Sequence, residues 1–309
     1  MEAKYKSVSL SDFQKRFPDD ESCLKYLTEK KWENGFKCHR CGHQHFCRGR
    51  KKYYRQCTAC RYQESPTANT LFHKVKFSLQ KAFTIVYFVS TNKKGISSTE
   101  LSRKLQIRQK TCWLFRVKVL QAMKSKKNVG LFGRVEISDF ELGHKRVAIN
   151  GNTVTLVKQV IIGIEKWKKG VSHIYAKVTI SKNGREILNF ANSYIQGDTA
   201  IKCYGNPGYR KLNDIFTDVK FLKKSEGQIL PLSNRVSKGL KAWLRGMHGH
   251  AELMQYYLDE YCYRFNRNRM KAEIFDHLLE RMINHPPRTY KEIITYAPIS
   301  RNIPTANSS

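Results

Sequence analysis

CHRCGHQHFCRGRKKYYRQCTAC, residues 38–60, decides how the front of this chain folds. Cys38 and Cys41 flank two residues, Cys57 and Cys60 flank two more, and fifteen residues separate the pairs. A two-residue gap bends the backbone into a knuckle whose two thiolates reach one ion. Two knuckles in series complete a tetrahedral four-sulfur site of the zinc-ribbon kind. All four positions are filled by protein, so the site is structural and leaves no place for a catalytic water. Between the knuckles, RGRKKYYRQ (48–56) is basic with two tyrosines, which suits a β-hairpin offering phosphate contacts and stacking faces. His39, His43 and His45 read as bystanders, and Cys47 has the wrong spacing for either knuckle.

Outward from this module the charge is uneven. The 309 residues hold 57 Lys and Arg against 25 Asp and Glu, a net +32. Between Lys37 and Arg134 there are 23 basic residues and two acidic ones, Glu64 and Glu100, so a third of the chain carries two thirds of the net charge. Such a field attracts a polyanion, and counterion release from phosphates drives the association. Nine cysteines, four of them in close pairs, point to metal in a reducing compartment rather than to disulfides. No run of eighteen apolar residues exists, and MEAKYKSVSLSDF lacks the apolar core of a secretory signal. A cytoplasmic, nucleoid-associated protein without a membrane partner is expected.

Five segments follow: a helical lead (1–35), the zinc ribbon (36–66), a helix-turn-helix domain (67–127), a strand-rich domain (135–270) and a C-terminal helix with tail (271–309). In the third, LQKAFTIVYFVST (79–91) has a helical apolar stripe, Gly95 ends it, and Ser97 or Ser98 caps the next helix with Glu100 near. A short turn after Leu105 starts a third helix whose N-terminal end exposes Arg108, Gln109 and Lys110, where a recognition helix meets base edges. A plain three-helix bundle without DNA is the other reading of the same pattern. From Val135, VEISDF, KRVAIN, TVTLVKQVIIGIEKW and SHIYAKVTI are β-branched runs with Asn150-Gly151-Asn152 as a turn. KNGREILNFANSYI (182–195) reads as a helix and TAIKCY (199–204) as a short strand, and from Asn234 the chain is helical. The fold class is multi-domain α+β, ending in an α/β sheet with flanking helices.

The order of these parts resembles zinc-ribbon insertion-sequence transposases with a ribonuclease-H-like catalytic domain. SPTANTLFHKVKFSLQKAF, KKGISSTELSRKL, QKTCWLFRVKV, KAWLRGMHGH (241–250) and YLDEYCYRFNRN (257–268) carry the likeness, over about residues 8–270. The resemblance implies acidic residues on the sheet that hold two Mg²⁺ or Mn²⁺ ions for in-line strand transfer. It also implies DNA contacts by Arg245 and His248, inverted-repeat ends of duplex DNA as partner, and homo-oligomers. On that pattern Ser138 stands where the first metal-binding Asp is expected. Alignment on Gly208-Tyr209 puts Tyr204 at the second acid, and Lys241 is the matched position of the third element, with Asn234 and Gly239 near it. Asp139, Glu136 and Asp198 are the possible substitutes. Strand alternation turns Asp139 away from Ser138, whereas Glu136 shares its face about 7 Å along, and Asp198 is expected in the loop entering the second strand. Neutral hydroxyls do not replace anionic ligands for hard cations. The expected function is therefore recognition of mobile-element ends with structural zinc and a degenerate catalytic centre. An active transposase using Mg²⁺ or Mn²⁺, and a zinc-ribbon RNA-binding or transcription-associated factor, are the alternatives.

Overall fold

The structure, a computed structural model, describes residues 8–92, 94–124, 130–149, 152–168, 170–245, 253–270 and 273–295. It is a mixed α/β chain of two compact units: residues 1–123 with 269–294, and residues 124–268 with 295–309.

The first unit starts with α1 (Leu10–Arg16) and α2 (Asp20–Lys31), capped by Ser9 and Asp19, whose side chains accept from N–H groups of the first turn. A three-stranded antiparallel sheet follows: β1 (Phe46–Arg48), β2 (Arg55–Cys57) and β3 (Gln63–Glu64). Then come α3 (Leu79–Thr91), α4 (Ser98–Leu105) and α5 (Gln109–Met123). Ser97 caps α4, accepting from Glu100 N–H at 3.1 Å, and Gln106 ends it in the left-handed conformation at φ 51°. The Ser102 hydroxyl then donates to the Ile107 carbonyl at 2.6 Å and closes the turn into α5.

Aromatic rings form the core of this unit. Phe13 stacks on Tyr87 at 4.7 Å, Phe17 meets Tyr26 and Phe83 edge-on, and Phe275 packs against both Phe13 and Phe17. Phe275 comes from α10 (Glu273–Ile283), which the amino-acid pattern groups with the C-terminal tail. It follows the second unit in the chain yet belongs to the core of the first. Arg16 clamps it with two hydrogen bonds to Asp276, at 2.8 and 2.7 Å. A short α11 (Tyr290–Thr295) follows.

The second unit is a five-stranded sheet of β4 (Leu131–Ile149), β5 (Asn152–Trp167), β6 (Gly170–Thr179), β7 (Ile195–Tyr204) and β8 (Val219–Leu222), in the order β6-β5-β4-β7-β8. β4 is antiparallel to β5 and parallel to β7, and β8 is parallel to β7. VEISDF and KRVAIN, expected as separate strands, are one strand. The register merely shifts between Leu142 and Lys145, around Gly143, as a bulge permits. The predicted turn at 150–151 lies outside the described residues. β7 is also longer than expected, which places Asp198 inside the strand, exposed, rather than in a loop before it.

Alternation sends Val135, Ile137, Ile161, Ile201 and Cys203 to one face, under α6 (Gly184–Tyr194) and α7 (Pro207–Arg210). Gly208 is obligatory there: a Cβ would stand 2.5 Å from the Lys182 carbonyl oxygen. The opposite face, with Val160, Ile162, Ile164, Ile174, Ala176 and Val178, is covered by α8 (Pro231–Arg245) and α9 (Met254–Asn266).

Edge strand β6 presents backbone groups that α9 satisfies with side-chain amides. Gln255 accepts from Val178 N–H at 2.9 Å and donates to the Ala176 carbonyl at 3.1 Å. Asn266 accepts from Ile174 N–H and donates to the Ile174 carbonyl, at 2.8 and 3.0 Å. An edge so occupied is closed to a strand of another molecule. Gln255 also donates to the buried Asp259 carboxylate at 3.0 Å. No helix among the described residues is long and apolar enough to cross a membrane.

Candidate functional site

The sulfur cluster is assembled by local geometry. Cys38 and Cys41 lie ahead of β1, Cys57 ends β2, and Cys60 follows in the turn before β3. All four sulfurs lie within 4.8 Å of one another, with 3.6 Å between Cys38 and Cys60 and between Cys41 and Cys57. Four convergent thiols fit a tetrahedral zinc ion, which would supply fold rather than chemistry because no coordination position stays open. The backbone N–H of Cys60, with that of Ala59, turns to Cys57 and draws its thiol down, whereas against the His43 backbone N–H the neighbouring thiols and burial push Cys41 up. Trp32 and Phe36 pack beside Cys38 and Cys57, and the Arg55 guanidinium sits between the Trp32 and Phe46 rings, at 4.4 and 4.0 Å. His39, His43 and His45 are outside the cluster.

On the sheet, the family positions meet α8. Ser138, buried on β4, faces that helix, and its hydroxyl is hydrogen-bonded to the hydroxyl of Ser233 in the first turn of α8. Glu136 shares the Ser138 face, and its carboxylate accepts from Ser233 N–H at 2.9 Å. The Tyr204 hydroxyl, at the end of β7, accepts from Leu230 N–H at 3.3 Å. Leu230 precedes α8, and its carbonyl takes the hydrogen bond of Asn234 N–H. Orphan N–H groups at a helix N-terminus are thus satisfied from the sheet below rather than from the helix's own sequence. Glu136 also places a negative charge where the helix dipole favours one.

The remaining candidates lie apart from this cluster. Asp139 points to the opposite face, where it accepts from the Tyr209 hydroxyl at 3.0 Å and pairs with the Lys182 ammonium at 2.8 Å. That pairing raises the Lys182 pKa, and burial, with Asp139 beside it, drives Tyr209 well above its usual range. Asp198 is six residues before Tyr204, about 20 Å along an extended strand. Lys241 is eight residues past Ser233, about 12 Å of helix, and its ammonium stands over the Phe140 ring at 5.4 Å. Asn234 and Gly239 are exposed on the outer side of α8. Ser233 escaped the reading of the sequence, although the spacing 233, 236, 240 puts it on the buried stripe with Val236 and Leu240.

Two family models match the chain: a transposase zinc-ribbon domain over residues 18–63 and an ISXO2-like transposase domain over residues 131–266. Together they span more than half of it, in the order that the two sites occupy. The chain carries a transposase zinc-ribbon domain followed by an ISXO2-like transposase domain. No curated protein matches it. Among solved structures, the Mos1 transposase paired-end complex with left transposon end aligns over 65% of this chain and 78% of its own, at 9% identity. Its TM-score of 0.20 is too low to bear on the fold.

The transposase-domain match begins at the first residue of β4 and ends at the last of α9, so it takes in every residue of the Ser138 cluster. Between the two matches lie Arg108, Gln109 and Lys110, all exposed at the start of α5. The Gln109 amide donates to the Ser98 hydroxyl at 2.9 Å, and the Lys110 ammonium stands over the Tyr290 ring at 5.4 Å. Arg245 is exposed at the end of α8, and His248 lies outside the described residues.

Glu136 therefore holds α8 in place. Glu136→Ala should destabilise the protein by about 2 kcal/mol, since it removes a charge-assisted hydrogen bond and leaves a buried N–H unpaired. Glu136→Gln, which keeps an acceptor, should recover part of that. Urea denaturation of the three proteins decides it, and equal midpoints would rule the role out.

Proposed function

We propose that this protein binds duplex DNA at the ends of a mobile element and does not itself cut the strands. The observation that carries this reading is the donor set where strand-transfer acids would converge: the hydroxyls of Ser138, Tyr204 and Ser233. Hydroxyls are neutral at pH 7, and two hard divalent ions need anionic oxygens held close together. Glu136 is committed to α8, and Asp139 is turned to the other face and paired with Lys182. Among the described residues, the four cysteines are the one group of three or more metal-binding side chains close enough to share an ion. The residues present do not fit Mg²⁺ or Mn²⁺ at the family positions, and no catalytic step is drawn through either.

Binding rests on the parts that persist. The front half concentrates positive charge, and the zinc ribbon has its full ligand set. α4, the turn at Gln106 and α5 support a helix-turn-helix reading, with Arg108, Gln109 and Lys110 at the end that would meet base edges. The sheet order, with β4 antiparallel to β5 and parallel to β7, supports a ribonuclease-H-like reading of the second unit. Self-association on paired ends and residence on the nucleoid belong to the same proposal.

The test uses full-length, zinc-loaded protein and a duplex carrying the DNA that flanks its gene, with Mg²⁺ or Mn²⁺ present. A retarded complex with no nicked or joined product is expected. Cleaved or joined strands would overturn the non-cutting reading, and preference for structured RNA over the duplex would overturn the DNA reading.

A further inference from the structure

A cavity of about 560 Å³ opens on the α8 face of the sheet, beneath Pro231 and Leu232 at the start of that helix. Its walls carry five cations: Arg134 of β4, Lys166 of β5, Lys168 just beyond it, Lys202 of β7 and Lys220 of β8. Two acids face them, Glu136 and Asp218, and Glu136 is already engaged by Ser233 N–H.

The placement of the cations is unfavourable on its own. Lys202 and Lys220 are register partners on parallel strands, so two ammonium groups stand side by side. Like charges directly opposite each other in a sheet destabilise it. Val135 pairs with Glu165, which brings Arg134 and Lys166 abreast on the next two strands. None of the five forms an ion pair with a described residue. A concave surface with a net charge of about +3 repels a divalent cation and favours an anion that offsets the mutual repulsion.

The layout also indicates the shape of that anion. β5, β4, β7 and β8 are consecutive in the sheet, so the row spans three interstrand gaps, about 14 Å. One phosphate group is far smaller than this, whereas one strand of a duplex places a phosphate about every 3.4 Å along its axis.

We propose that this cavity is a phosphate-backbone subsite, holding successive phosphates of a DNA strand on the sheet face one step along β4 from Ser138. The subsite rests on the DNA-binding reading above and adds a second grip, in the unit that has lost its acids, to that of the zinc ribbon and α5. A strand held there is bound where the family's chemistry would occur, without being cut.

The experiment measures duplex affinity of the full-length protein between about 50 and 200 mM salt for wild type, Lys202→Gln/Lys220→Gln and Asp218→Asn. Each lost phosphate contact reduces the slope of log affinity against log salt by about 0.9. The double variant should thus have a slope shallower by about 2, and lose about tenfold less affinity over that fourfold salt range. Its thermal midpoint should be no lower than that of wild type, because the substitution relieves repulsion. Asp218→Asn, which removes a negative wall, should tighten binding. Coincident slopes for wild type and double variant overturn the subsite while leaving the DNA-binding reading intact. Failure of wild type to bind any duplex at low salt overturns both. Inorganic pyrophosphate is the third arm: if it stabilises wild type but not the double variant while their duplex slopes coincide, the pocket takes a free phosphate ligand and the backbone assignment falls.

Discussion

Stripping zinc from the full-length protein is expected to unfold the segment between Cys38 and Cys60 while the second unit keeps its structure. The hairpin of β1 and β2 is three residues on each side, and its buried neighbours are little more than Trp32, Phe36 and the cysteines themselves. A core that small does not offset the entropy of ordering the loop, so metal binding is in effect the folding energy of the module. For structural zinc in small modules this amounts to about 10–16 kcal/mol near neutral pH. Cys57→Ser should reproduce the loss, because Cys57 is fully buried and a serine hydroxyl stays protonated where a thiolate is needed. Acid should act likewise, since protons compete for the sulfurs and release the ion as pH falls. Tryptic cleavage at Arg48, Lys51 and Arg55, followed by mass spectrometry against released zinc, is the measurement. Resistance to trypsin after one equivalent of zinc has left would show that the module stands without metal.

Asp259→Asn should stabilise the protein at pH 8 and flatten its pH dependence. Asp259 is buried in α9, and burial raises its pKa from the ordinary 3.8 to about 7, against the opposing effects of the Gln255 amide and Lys124. The folded state therefore keeps a proton that the unfolded state has lost between those two values. Stability falls as pH climbs from about 4 to 7 and stays lower above it. Three pH units correspond to about 4 kcal/mol, an upper bound that relaxation around the site reduces. Asparagine keeps the shape and an oxygen for the Gln255 amide, which donates to Asp259 at 3.0 Å, without a charge to bury. Denaturant titrations of both proteins at pH 5 and pH 8 are sufficient. Parallel pH profiles would show that Asp259 is not the group responsible.

The zinc site was legible in the order of residues because its ligands are close along the chain and each knuckle is a local turn. Strand alternation likewise turns Asp139 away from Ser138, because adjacent side chains in a strand alternate faces. Ser138 and Tyr204 stand out as candidate positions only through likeness to a family. In the structure both hydroxyls meet the start of α8.

Other features come from pairings between distant residues, which no local pattern encodes. Helix α10 is amphipathic in sequence, yet nothing in it states that Phe275 fills a core built from Phe13, Phe17 and Tyr87. Ser233 lies 95 residues from its partner Ser138, and Lys202 and Lys220 join Arg134 and Lys166 in the pocket only because parallel crossovers bring β7 and β8 beside β4. Residue order alone settled the metal ligands, the concentration of charge and the helix and strand periods, because each depends on contacts within a few residues. Tertiary structure decided which carboxylates are already occupied and which lysines share a cavity, because burial and charge pairing depend on what the folded sheet brings alongside.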